Sequence, residues 1–74
     1  MMHYNFIAYH TDNPERTISG NGSGDTYNLC LADFIKNYLL EYKKTFTINC
    51  VQRITYTYAE QLLMSKMVEA GEYE

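Results

Sequence analysis

His10-Thr11-Asp12-Asn13-Pro14-Glu15-Arg16-Thr17-Ile18-Ser19-Gly20-Asn21-Gly22-Ser23-Gly24-Asp25-Thr26 separates an apolar, aromatic run, Tyr4 to Tyr9, from a segment with helical periodicity. Its reading decides the fold. A 74-residue chain has little length to spare from its core, so a polar stretch of this kind is either disordered or used for binding. Asp12-Asn13-Pro14-Glu15 is a turn, because proline presets φ and the preceding Asp and Asn tolerate turn geometry. Arg16 to Ser19 then reads as a short return strand that fades into a Gly20–Gly24 loop. Residues 10–26 are thus expected to be a hairpin turn, a short strand and a glycine-rich loop within a single domain spanning 1–74.

Upstream of the turn, His3 to Tyr9 alternates, with Tyr4, Phe6 and Ala8 on one side and Ile7 and Tyr9 on the other. Downstream, Leu31, Phe34, Ile35, Tyr38, Leu39 and Tyr42 recur at i, i+3, i+4, i+7, i+8 and i+11, the complete apolar face of a helix. Asn28 is its candidate cap, and Lys43 and Lys44 close it where the helix dipole favours cations. From Thr45 to Tyr56 the pattern returns to period two, with Phe46, Ile48, Cys50, Ile54 and Tyr56 on one face, which predicts one half-buried strand. Thr57-Tyr58-Ala59-Glu60 fits a capping box. It opens a helix through Ala70 that Gly71 can end, leaving Glu72-Tyr73-Glu74 as a frayed tail.

The expected class is α+β, in the order β-β-α-β-α. A three-stranded antiparallel sheet of order 2-1-3 carries one packed helix, and a C-terminal helix follows. Apolar residues left on the first strand and the second helix predict a homo-oligomer, since a domain this small rarely stabilises itself without disulfides, metal or association. Cys30 and Cys50 sit among apolar residues without zinc spacing and read as free thiols. With no basic leader and no apolar run of about 20 residues, the expected location is the cytoplasm, with no membrane partner.

A formal charge of -3, and six basic residues of which only Lys43-Lys44 adjoin, argue against direct nucleic-acid binding. Most of the eight tyrosines fall at strand or helix spacings that suit an amphipathic ring at a core edge. The glycine loop before a helix invites comparison with phosphate cradles, yet it lacks Gly-Lys-Ser/Thr and places Asp25 where an anion would sit. His3 and His10 point to opposite faces of a regular strand. No nucleophile-base pair or metal constellation emerges, so the expectation is a binding module with no catalytic residues, no metal and no cofactor.

The hairpin, the Ile/Leu-rich helix, the Ile48-Asn49-Cys50-Val51-Gln52-Arg53-Ile54 strand and the Thr-capped acidic helix together resemble the small proteins that tailed phages encode in number. That resemblance, one of layout, implies action against bacterial immunity inside the infected host. One form is sequestration of a nucleotide-derived signal, for which Tyr9, Arg16, Gly20, Asn21, Gly22 and Arg53 are the candidate ligand residues. Arg16→Ala, or a bulky residue at Gly22, is then expected to remove ligand-induced stabilisation while sparing the fold. The alternatives are an anti-CRISPR-like inhibitor of a host defence protein, with Tyr58, Tyr73, Glu60 and Glu72 at the interface, and a structural module with no small ligand.

Overall fold

The computed structural model describes residues 1–70, and the side chains of 69 and 70 are outside that description. Four strands and two helices follow the order β1 Met2–His10, β2 Thr17–Gly24, α1 Tyr27–Phe34, β3 Phe46–Asn49, β4 Arg53–Tyr56, α2 Tyr58–Ala70. The strands form one antiparallel sheet of order β2-β1-β3-β4. The class is α+β and the expected 2-1-3 arrangement is present, but the sheet has four strands and the element order is β-β-α-β-β-α.

The extra strand comes from Thr45–Tyr56, which is a hairpin and not one strand. Phe46 pairs with Tyr56 and Ile48 with Ile54, and Cys50, Val51 and Gln52 make the connection, closed by Cys50 N–H donating to the Gln52 carbonyl at 3.1 Å. A single strand of twelve residues would span about 36 Å from first Cα to last, the whole 36 Å length of the molecule.

The second correction concerns the glycines. Gly20–Gly24 is not a loop but the second half of β2, paired in register with β1 from Met2↔Gly24 to Tyr9↔Thr17. Gly20, Gly22 and Gly24 alternate, so all three lie on the sheet face that carries Tyr4, Phe6 and Ala8. Helix α1 packs on that face. A Cβ on Gly22 would lie 1.9 Å from the Cys30 carbonyl oxygen, and one on Gly24 2.6 Å from Leu29 Cβ. Glycine here lets the helix backbone approach the strand backbone. Gly20 is covered by the ring of Tyr38.

Helix α1 starts two residues earlier than Asn28 would require. Thr26 is its N-cap, with Oγ1 accepting from Leu29 N–H at 3.2 Å. The helical path continues past Phe34 as a π segment, Ile35–Leu39, and a 3-10 turn, Leu40–Tyr42. The wider π turn rotates the apolar face, so Leu31, Phe34, Ile35 and Leu39 are buried, whereas Tyr38 and Tyr42 are partly exposed. Lys43 ends the run in the left-handed region, φ 54. Helix α2 begins as its sequence predicts: Thr57 N–H donates to Glu60 Oε1 at 2.8 Å, and Glu60 N–H donates to Thr57 Oγ1 at 3.2 Å. The expected Gly71 stop and the tail lie outside the described residues.

Phe6, Ala8, Phe46 and Ile48 from the sheet join Cys30, Leu31, Phe34, Ile35 and Leu39 in one core, against which Met64 of α2 packs. Phe6 and Phe34 stack at 5.1 Å, and each large side chain buried this way contributes about 1.5–3 kcal/mol. Both helices therefore cover the same face. Among the described residues no helix covers the opposite face, and on α2 Leu62 and Leu63 are exposed.

Candidate functional site

Strand alternation sorts the candidate residues. Tyr9 and Arg53 are brought together, the guanidinium carbon lying 5.6 Å from the ring centroid, and Asn21 shares their open face on β2. Arg16 is exposed at the end of the β1–β2 turn, where its N–H donates to the Asn13 carbonyl at 3.1 Å. Gly20 and Gly22 lie on the other face under Tyr38 and α1. Their amides belong to the sheet, so the anion cradle imagined at this segment is not formed, and a bulky residue at Gly22 cannot leave the fold intact.

On the open face, His3 Nδ1 and Ser23 Oγ are 2.8 Å apart, and Thr47 and Thr55 join their hydroxyls at 2.7 Å. Ile7 is 46% exposed. None of the four strands contains a carboxylate, and Arg53 gives this face a positive charge.

A concave site forms elsewhere. The β1–β2 turn, the turn that leads into β3 and the start of α2 border an open cleft of about 380 Å³ lined by His10, Thr11, Asp12, Lys43, Lys44, Thr45 and Tyr58. Adjacent side chains on an extended chain diverge, and the left-handed turn at Lys43 is the local feature that puts both lysines on one cleft. Thr11 Oγ1 donates to the Thr45 carbonyl at 3.4 Å, linking the two walls. The His10 ring lies 4.5 Å from the buried Phe46 and edge-on to Tyr42 at 6.2 Å, contacts that fix its orientation at the cleft.

Gln61 holds the cleft in shape from behind. It is fully buried, and its Nε2 donates to the Lys44 carbonyl at 2.7 Å and to the Tyr56 carbonyl at 3.1 Å. That amide ties the lysine turn to the junction of β4 and α2. Its Oε1 has no hydrogen-bond partner among the described residues.

The Cys30 thiol is poorly placed for nucleophilic chemistry. Burial, reinforced by the Asp33 carboxylate, pushes the Cys30 thiol above its usual value, and its Sγ donates to the Met2 carbonyl at 3.4 Å. A thiol held protonated is a weak nucleophile. Among the described residues no cluster of three His, Cys, Asp or Glu side chains could hold a metal ion, and no helix is long and apolar enough to cross a membrane. Of the expected inhibitor surface, Tyr58 is half-buried and Glu60 is engaged in the capping box, while Glu72 and Tyr73 lie outside the described residues.

The lysine cleft was missed in the sequence because Lys43-Lys44 served there only as helix-closing charge. Its signal was present: the one adjacent cationic pair in the chain, between a helix and a strand. Comparison with protein-family models, with curated proteins and with solved structures finds no match.

Proposed function

We propose that the chain is a non-enzymatic binding protein whose lysine cleft holds a small phosphate-bearing ligand of nucleotide type, and that it acts by sequestering such a ligand. The observation that carries this reading is the convergence of Lys43 and Lys44 with the Thr11, Thr45 and Tyr58 hydroxyls around one cleft whose only carboxylate is Asp12. Ammonium groups and hydroxyl donors suit phosphate oxygens. The rings of His10 and Tyr58, which line the cleft, suit a planar base beside them. The counter-immunity setting rests on the layout resemblance alone, and the cleft speaks to ligand class.

Thermal-shift measurements with a panel of cyclic and linear nucleotides, and with tripolyphosphate as a probe lacking a base, test the reading. A ligand present at 100 times its Kd stabilises by about 2.7 kcal/mol, which in a domain this size raises Tm by roughly 10–20 °C. Lys43→Ala/Lys44→Ala is expected to abolish the shift, while Arg16→Ala and Arg53→Ala keep it. If no nucleotide raises Tm at millimolar concentration the proposal fails. If the lysine variant responds like the wild type, the ligand sits elsewhere, and loss in Arg53→Ala would locate it on the open face.

A further inference from the structure

The outer edge of β2 carries unpaired backbone groups whose placement can be read from one hydrogen bond. Ser23 N–H donates to Asp33 Oδ2 of α1 at 2.9 Å and so points away from β1. In an antiparallel ladder the bonding direction alternates residue by residue, so Thr17, Ser19 and Asn21 also direct their N–H and C=O outward, while Ile18, Gly20, Gly22 and Gly24 bond to β1. The short His3–Ser23 contact agrees, because side chains approach most closely at non-hydrogen-bonded pairs.

Sheet proteins blunt a free edge with charge, proline, a bulge or brevity. The other edge strand, β4, has four residues and includes Arg53. Strand β2 has eight, Thr-Ile-Ser-Gly-Asn-Gly-Ser-Gly, with no charged side chain and no proline, and its pairing with β1 runs without a bulge. Its one guard is Asp33, itself held by Asn37 Nδ2 at 3.1 Å, which occupies the Ser23 N–H and confines the open run to Thr17–Asn21.

We infer that this edge pairs with the same edge of a second copy of the chain, antiparallel about a two-fold axis at Ser19, to make a continuous eight-stranded sheet. Ser19 then faces Ser19 of the second copy and Thr17 faces Asn21, each of the three facing pairs exchanging two N–H···O bonds. Three observations favour a copy over another partner. The run is centred on a residue whose bonding groups point outward, so it is self-complementary in this register. In this register Arg16, exposed and without an ion-pair partner among the described residues, comes beside Asp33 of the second copy, and the symmetry makes that contact twice. Ile7 lies opposite Ser19 on β1 and Tyr38 lies over Gly20, so the two partly exposed apolar groups flank the axis on either side of the sheet. Because Asp33 stops the pairing at both ends, the contact closes as a dimer instead of propagating.

Sedimentation velocity over a concentration series decides the matter, using the full chain. The expected result is a species of twice 8.7 kDa. Ser19→Pro removes an N–H the monomer does not use, and it is expected to weaken association about tenfold or more with an unchanged circular dichroism spectrum. Should the proline variant misfold, Ser19→Lys, which sets like charges face to face at the axis, and Arg16→Glu, which reverses the end contact, are expected to weaken association in the same way. A wild-type mass of 8.7 kDa persisting to about 1 mM overturns the proposal and leaves the edge to an extended segment of another protein. Folded Ser19→Pro, Ser19→Lys and Arg16→Glu variants that all dimerise like the wild type overturn it as well. None of these residues lines the lysine cleft, so this result and that of the ligand screen are separable.

Discussion

Replacing Gly22 with alanine tests whether the glycine segment is a packed strand. Its Cβ would meet the Cys30 carbonyl oxygen at 1.9 Å, the Cys30 carbonyl carbon at 2.8 Å and Phe6 Cε2 at 2.9 Å. Two of these three are backbone atoms inside a helix, so no side chain can swing clear. Strand and helix must separate by about 1.1 Å before the first contact reaches even 3.0 Å, and a gap of that order forfeits a quarter to a half of the dispersion energy along the α1 interface. The cost lies at the upper end of overpacking, about 3 kcal/mol. A chain of this length has roughly 4–11 kcal/mol in total. Tm is therefore expected to fall by about 12–24 °C in a circular dichroism melt. Gly24→Ala, which meets Leu29 Cβ at 2.6 Å, is expected to cost about 1–2 kcal/mol. Gly20→Ala meets only the far end of the partly exposed Tyr38 ring, which can move, and is expected to cost at most about 1 kcal/mol. An exposed loop gives the opposite pattern, since alanine there is neutral or stabilising by reducing the freedom of the unfolded chain. A Gly22→Ala protein melting within about 2 °C of wild type would refute the packing argument.

Two further outcomes follow from single contacts. Thr57→Ala removes one half of the reciprocal cap on α2 and is expected to cost about 1 kcal/mol by chemical denaturation; an unchanged midpoint would show that α2 is held by packing alone. The raised Cys30 thiol makes stability depend on alkaline pH. Its folded pKa exceeds the unfolded value of 9.0, so the unfolded chain loses this proton first. The thiol's contribution is intact below pH 9 and is lost as pH rises through the folded value. A stability profile that does not fall above pH 9, or one that falls equally in Cys30→Ala, would count against that origin.

Periodicity alone determined a good deal here. The alternation of β1, the apolar face from Leu31 to Leu39, the Thr57–Glu60 cap and the 2-1-3 strand arrangement follow from local pattern and the handedness of connections, both properties of the chain at short range. The β3–β4 hairpin did not, and the reason is arithmetic. The facing pairs Phe46–Tyr56 and Ile48–Ile54 keep even-numbered residues on one face across the turn, so a hairpin and a long strand have identical patterns. Only the tertiary pairing, with β3 between β1 and β4, distinguishes them. Gly20, Gly22 and Gly24 carried the period-two signal of a strand, but glycine has no side chain to mark which face is buried, and it took the approach of α1 to show that the missing Cβ atoms were the point. The lysine cleft likewise belongs to tertiary structure: Lys43 and Lys44 are neighbours in sequence, yet His10 and Tyr58 reach them only once the sheet and α2 are in place.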